Sequence, residues 1–384
     1  MLAPKKVLML ASVASMIDQF NMDNIKILQE LGYDVDVACN FLIGNTCSHE
    51  KVLELKKTLG DLSADCYQVD FTRNVTNIKQ DWVAYQQVKK IVNDNEYAFI
   101  HCHSPIGGVI GRMVGKVTRT RVIYTAHGFH FYLGAPKKNW IMYYPIEKLL
   151  SYWTDAIVTI TKEDYERAKK RLSAKKVYYL PGVGINLNEF KFDVEKRRAV
   201  RGKLSLKEDD VVIFSVGELN HNKNHRAIIQ ILQKINNKNI HYFIAGEGCL
   251  REDLQRMIDD ALLTNQIHLL GFRKDVSELL QAADVFVLPS LREGLNVSMM
   301  EAMSSSLPCI CNKIRGNTDL IEHDKGGYIL DISAEEEWEK RICQITSNRK
   351  LRQEMGDFNR KKMQAFSIDV VNATMKSIYQ EISY

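Results

Sequence analysis

No stretch of this 384-residue chain strings together the roughly 18 to 20 apolar residues that a membrane span requires. The opening Met-Leu-Ala-Pro-Lys-Lys-Val-Leu-Met-Leu-Ala is apolar only briefly, and reads as a first strand rather than a secretory leader. Nothing repeats at short period and no low-complexity tract occurs, which excludes solenoids and disordered arrays. The eight cysteines form no Cys-x-x-Cys pair, and Cys39, Cys309 and Cys311 sit in apolar runs. That pattern fits reduced thiols packed as small hydrophobes, so the expected compartment is cytoplasmic. No nucleic-acid-binding module accompanies the charge, so nucleic acid is not an expected partner.

What is present is ordinary globular material, 45% hydrophobic and 26% charged, in a length that suits two domains. Short β-branched runs at Val7–Ala11, Val35–Ala38, Ala98–Cys102, Val122–Thr125, Ala156–Ile160 and Val177–Leu180 alternate with helical patterns at Asp18–Leu31, Asn77–Val92 and Lys162–Leu172. Pro181-Gly182-Val183-Gly184 interrupts the series, and a second one starts at Val211–Val216. It continues through helices from Asn224 and Arg251, strands at His241–Ala245 and Ile267–Leu270, and a helix near Val276–Gln281. Such alternation predicts an α/β protein with doubly wound parallel sheets, whose ligands sit at the carboxyl ends of the strands. The expected division is 1–185, 186–364 and a terminal helical stretch, 365–384.

The second series culminates in Asp284-Val285-Phe286-Val287-Leu288-Pro289-Ser290, followed by Leu291-Arg292-Glu293-Gly294-Leu295-Asn296-Val297-Ser298-Met299-Met300-Glu301-Ala302-Met303. Pro289 ends a strand, Gly294 permits a tight turn, and Asn296 or Ser298 can cap a helix beginning at Val297. A helix N-terminus offers free N–H groups and partial positive charge to a phosphate or a sugar oxygen. Ionised Glu293 and Glu301 only accept hydrogen bonds, which suits a hydroxyl-rich ligand. These parts together describe a nucleotide-sugar site.

Glu-x7-Glu behind this Asp-x-Phe-Val-x-Pro-Ser strand resembles the signature of glycosyltransferase family 4, the retaining enzymes with a GT-B fold. The resemblance implies two Rossmann-like domains with a cleft between them and a terminal helix that crosses back to the first domain. It also implies that Glu293 binds the donor sugar and Glu301 the ribose, with the amides of Leu295, Asn296 and Val297 near the diphosphate. Val216-Gly217-Glu218-Leu219-Asn220-His221-Asn222-Lys223-Asn224 lies where the family carries Gly-Arg-Leu-x-x-x-Lys-Asn. Lys223 matches the diphosphate-binding lysine, while Glu218 replaces the arginine and reverses its charge. Arg226, Arg315, a protonated His221 or a metal would have to make good the loss; no divalent metal or other cofactor is expected.

Other motifs follow in the family's order. Ala245-Gly246-Glu247-Gly248-Cys249-Leu250-Arg251 resembles its Gly-x-Gly-x-Leu-Arg turn, with Gly246 and Gly248 admitting a ligand close to the backbone. Gly271-Phe272-Arg273 resembles the segment that flanks the nucleotide base, and Arg273 is expected to touch either the base or a neighbouring loop. Arg315, in Ile314-Arg315-Gly316-Asn317, suits phosphate, and Asn317 is read as acceptor-binding. Thr125-Ala126-His127-Gly128 resembles Thr-x-His-Gly, which places His127 beside the transferred sugar, and His103 is expected to border the acceptor. Zinc held by His101, Cys102 and His103 is argued against by strand alternation. The family's N-terminal glycine pair is missing from Ser12-Val13-Ala14-Ser15, so no glycine role carries over.

Positive charge gathers in the first half, with 24 Lys and Arg against 18 Asp and Glu up to Ile185, and 28 against 29 beyond it. From Arg112 to Lys148 seven cations face one acid, Glu147. A solvated face fits, and so does an attraction to anionic headgroups or to a diphosphate-bearing acceptor. Asn139–Trp153, rich in aromatics, fits either a core helix or a membrane-interface helix. The combined expectation is transfer of a UDP-linked hexose or N-acetylhexosamine to a lipid-linked saccharide, as in bacterial capsule and exopolysaccharide assembly, at the cytoplasmic face of the inner membrane. A GT-B UDP-sugar epimerase and a non-catalytic sugar-binding subunit are the alternatives. A hydrolase using both glutamates fits poorly: if both were helical they would lie roughly 12 Å apart along the axis, against about 5 to 9.5 Å in glycosidases.

Overall fold

The computed structural model describes residues 5–45, 47–72 and 77–383. The chain divides into two compact units, 1–183 with 369–384, and 184–368. The unit boundary falls at the Pro-Gly-rich break, and the last helix, Ile368–Ser383, belongs almost wholly to the first unit.

The first unit is built on seven strands: β1 (Lys5–Val13), β2 (Tyr33–Asn40), β3 (Cys66–Gln68), β4 (Tyr97–His103), β5 (Arg121–Ala126), β6 (Ala156–Thr159) and β7 (Lys176–Tyr179). Their order is β3-β2-β1-β4-β5-β6-β7, all parallel. Alternation along β1 divides the core: Val7 and Met9 face one layer, which includes Met375 and Tyr379 of the last helix, and Leu8 and Leu10 face the other. The chain winds outward from β1 to β3, then returns to place β4 on β1's other side. The switch point therefore lies between β1 and β4.

The second unit repeats the plan with β8 (Val211–Val216), β9 (Ile240–Ala245), β10 (Ile267–Gly271), β11 (Val285–Leu288), β12 (Cys309–Asn312) and β13 (Gly327–Leu330). The order β10-β9-β8-β11-β12-β13 is again parallel, with its switch point between β8 and β11. All four residues of β11 are buried, as expected of a central parallel strand covered on both faces.

Two expectations need correction. The helix expected over Asp18–Leu31 is two helices, Ala14–Phe20 and Met22–Glu30. Buried Asn21 makes the break, its Nδ2 donating to the Met16 carbonyl and its Oδ1 accepting from Asn24 Nδ2. The short strands β3 and β13 were not anticipated; three or four residues carry too little periodicity to announce a strand.

Candidate active site

The switch point of the second unit brings together the loops that follow β8 and β11. Asn222 binds the second loop twice: its carbonyl accepts from Leu291 N at 2.8 Å, and its Nδ2 donates to the Arg292 carbonyl at 2.9 Å. Lys223 is held at its own backbone by Asn220 Oδ1, 2.9 Å away. Its stem lies over Gly217, where a Cβ would come within 3.0 Å of Lys223 Cδ and Cε. The ammonium then reaches Glu293 Oε1 at 2.8 Å, with the two side chains only 18% and 12% exposed. Sequence reasoning assigned these two residues separate parts of a ligand; in the structure they are a charge pair.

Asn296 caps the helix Val297–Ser304, its Oδ1 accepting from Met299 N at 2.9 Å and from Ser298 Oγ at 2.8 Å. Leu295 and Asn296 are buried, and Val297 is half-buried. The turn after β12 locks onto the same loop: Gly316, at φ +83°, packs so close to Gly294 that a Cβ would run into the Gly294 carbonyl oxygen. Half-buried Arg315 directly precedes this contact. Glu301, one face further along the helix, is mostly buried, and its carboxyl is pushed up to about 7 by desolvation and then by the nearby carboxylate of Glu189. Nothing in the spacing pointed to Glu189.

Several expected residues sit elsewhere. Asn317, read as acceptor-binding, is fully buried, and its Nδ2 closes the turn on the Asn312 carbonyl at 3.0 Å. Gly246 and Gly248 leave no room for a ligand at their α-carbons, because the backbone of Gly217 and Leu219 already fills it. Their glycines serve loop-on-loop packing. Phe272 is 68% exposed, and Arg273 pairs with Asp275 at the surface. Glu218 and Arg226 are exposed.

In the first unit the switch point joins the ends of β1 and β4. Here Ser12 occupies the place of the missing glycine pair. Its N–H donates to Ser104 Oγ at 3.1 Å, and the two hydroxyls lie 2.5 Å apart. Ser104 takes a left-handed φ of 66°, a strained conformation for a residue with a side chain, and its hydroxyl donates to the His103 carbonyl. His101 and His103, two apart on β4, share one face with ring centroids 4.2 Å apart. Cys102 points the other way, its thiol on the Ile123 carbonyl at 3.3 Å.

His101 is pinned between the Tyr379 hydroxyl and Thr125 Oγ1, both at 2.8 Å. His103 is 1% exposed, so in place of the acceptor contact expected of it, it backs His127, Nδ1 to Nε2 at 3.3 Å. Burial holds all three imidazoles neutral: His101 is lowered to about 3, His127 to about 4, and His103 falls well below the ordinary value. His127 is only half-buried, so it is the member of the row that can meet a ligand. As a neutral ring it offers one N–H and one lone pair. Among the described residues, no group of three or more His, Cys, Asp or Glu is arranged to hold a metal.

Residues 6–161 match the family described as glycosyl transferase 4-like, and residues 196–362 match glycosyl transferases group 1. A putative glycosyltransferase of Bacillus subtilis, EpsD, is 32% identical over 98% of this chain and 96% of its own length. The Escherichia coli UDP-Gal:alpha-D-GlcNAc-diphosphoundecaprenol alpha-1,3-galactosyltransferase is 29% identical over 73% of this chain and 74% of its own. Among solved structures, Anabaena HepE in complex with UDP and glucose superposes with a TM-score of 0.78 at 16% identity, covering 98% of this chain and all of that one. WaaG, a glycosyltransferase involved in lipopolysaccharide biosynthesis, gives a TM-score of 0.68 at 16% identity over 97% of this chain and 99% of that one. Two parallel-sheet units, the loops gathered at their switch points and a full-length relative of this similarity lead to one placement: the chain belongs to the GT-B glycosyltransferases of the family 4 type.

Proposed function

We propose that the chain moves a hexosyl or N-acetylhexosaminyl group, with retention at the anomeric carbon, from a UDP-sugar to a hydroxyl of a lipid-linked saccharide in exopolysaccharide or capsule assembly. The observation that carries this reading is the Lys223–Glu293 pair at the second unit's switch point. A nucleotide diphosphate is an anion that competes with Glu293 for Lys223. Donor binding would draw the ammonium onto phosphate and release the Glu293 carboxylate to accept hydrogen bonds from sugar hydroxyls. Glu301 would take the ribose hydroxyls. Arg315 would supply a second cation to the diphosphate, meeting the deficit left by Glu218. This reading calls for no divalent metal, so turnover is expected to survive chelation by EDTA.

The acceptor oxygen would then bond to the anomeric carbon as the carbon–phosphate oxygen bond breaks, its proton passing to the departing phosphate. Catalysis in this scheme is positioning plus stabilisation of the leaving diphosphate. His127, neutral throughout the physiological range, would donate its N–H to a sugar hydroxyl without itself titrating. Support for UDP and for a lipid-linked acceptor comes from the galactosyltransferase relative and from HepE, which was crystallised with UDP.

The test is nucleotide release from a panel of UDP- and GDP-sugars, with and without a polyprenyl-diphosphate-linked sugar, using Glu293→Ala as control. Acceptor-dependent release from one donor, reduced about 100- to 1,000-fold in the variant, is the expected result. Glu218 favours a second reading, a subunit that holds sugar without turning it over, because an acid in place of the family's arginine removes a charge that would stabilise the departing diphosphate. Donor binding with no release under any acceptor would establish that reading instead.

A further inference from the structure

The helix Lys137–Ser151 is turned inside out relative to an ordinary surface helix. Its glutamate, Glu147, is buried, and apart from the buried Leu150 its aliphatic residues face water. The cause is Arg112, fully buried on the helix Pro105–Thr118, which grips Glu147 through two bonds of 2.7 and 3.0 Å. Trp140 and Tyr144 turn inward on Phe131. What remains outward is Ile141, Met142, Pro145, Ile146, Leu149 and Tyr152, with Ile141 77% exposed, Leu149 55% and Tyr152 62%. At about 100° per residue these positions fall within one arc of roughly 140°, a continuous apolar stripe.

Charge selects what covers the stripe. Glu147 is the one acid among the seven cations from Arg112 to Lys148, and Arg112 withdraws it from solvent. The stretch therefore presents cations alone: Lys137 and Lys138 at the start of the helix, and Lys148 beside Tyr152, its ammonium 5.5 Å from the ring centroid. A second copy of the chain seated here by a two-fold axis would bring these lysines against their own counterparts.

We propose that this face of the Lys137–Ser151 helix seats on a bilayer rich in anionic lipid, the aliphatic stripe entering the interface and the lysines meeting the headgroups. Among the described residues no helix is long and apolar enough to cross a membrane, so the contact is interfacial. The inference deepens the lipid-linked acceptor reading but is tested without any sugar, so the two can fail separately.

The full chain is sedimented with phosphatidylcholine vesicles, and with vesicles that also contain phosphatidylglycerol, at low and high salt. Binding is expected only with phosphatidylglycerol and is expected to weaken with salt. Ile141→Ser with Leu149→Ser is expected to weaken it about tenfold or more, and Lys137→Gln or Lys138→Gln about fivefold each. Because these side chains are exposed, thermal melting and turnover on a water-soluble acceptor should be unchanged. Wild-type protein that ignores the anionic vesicles, or serine variants that bind them equally well, would overturn the proposal. A smaller particle for the serine variants in light scattering, with no vesicle binding by the wild type, would assign the stripe to a second copy.

Discussion

Lys223 and Glu293 are each mostly out of water and depend on one another for neutralisation, so removing one strands the other. Lys223→Ala and Glu293→Ala should each destabilise the second unit, and the double variant should recover part of the loss. The expected coupling is about 1 to 3 kcal/mol in a double-mutant cycle read by denaturant unfolding; effects that add within about 0.5 kcal/mol would show the pair to be energetically idle. Glu301 makes a prediction of the opposite kind. Its carboxyl sits near 7 when folded, against an ordinary 4.5. The folded unit therefore keeps a proton that the unfolded chain gives up as pH rises from 4.5 to 7. The group costs nothing below that window, and its penalty grows across it to on the order of 1 to 3 kcal/mol. Glu301→Gln should match the wild type near pH 4 and melt higher near pH 8, at the expense of donor affinity. A melting difference independent of pH would refute the burial argument.

Three glycines show how the loops depend on backbone contact. Gly316 at φ +83° combines a left-handed backbone with direct packing on Gly294, so Gly316→Ala should cost at least about 2 kcal/mol. Because Gly294 adjoins Glu293, the same variant should weaken donor binding measured by calorimetry, whereas Gly60→Ala, open around its α-carbon, should do neither. At Gly246 and Gly248 the sequence suggests a ligand-binding turn, and the turn is there, but its closeness is to Gly217 and Leu219. Local signals carried the elements well. The β-branched run Val285–Leu288, the capping Asn296 and the final helix Ile368–Ser383 all declare themselves within a few residues. What no local signal carries is a contact between loops 70 residues apart, such as Lys223 with Glu293. Arg112 turning Glu147 inward and Glu189 reaching Glu301 are of the same kind. Each is decided by which strands are neighbours, and sheet order is set by the competition of whole elements for one core.

The whole molecule carries its buried titratable groups unevenly, and acid should expose the difference. In the first unit His101, His103 and His127 are all kept neutral by burial, far below the ordinary histidine value of 6.5. Below that pH the unfolded chain takes up protons that the folded unit cannot, so stability is present above 6.5 and falls as pH drops towards about 4. With up to three protons involved, the slope approaches about 4 kcal/mol per pH unit. The second unit has His225, lowered to about 4, and the less buried His268, also lowered. Against these Glu301 works in the opposite sense, favouring the folded state as pH falls. Calorimetry between about pH 8 and pH 5 should therefore show one transition moving down faster than the other. The faster one should be the first unit's, identified by loss of its Tyr379–His101 packing on the last helix. His101→Gln, which does not take up a proton, should flatten that shift by about a third if the three imidazoles contribute equally. Two transitions falling in parallel, or a His101→Gln slope equal to wild type, would mean that the histidine row is wet enough to be charged when folded. His127 would then meet the donor as a cation, and turnover would change across the range where a neutral ring leaves it flat.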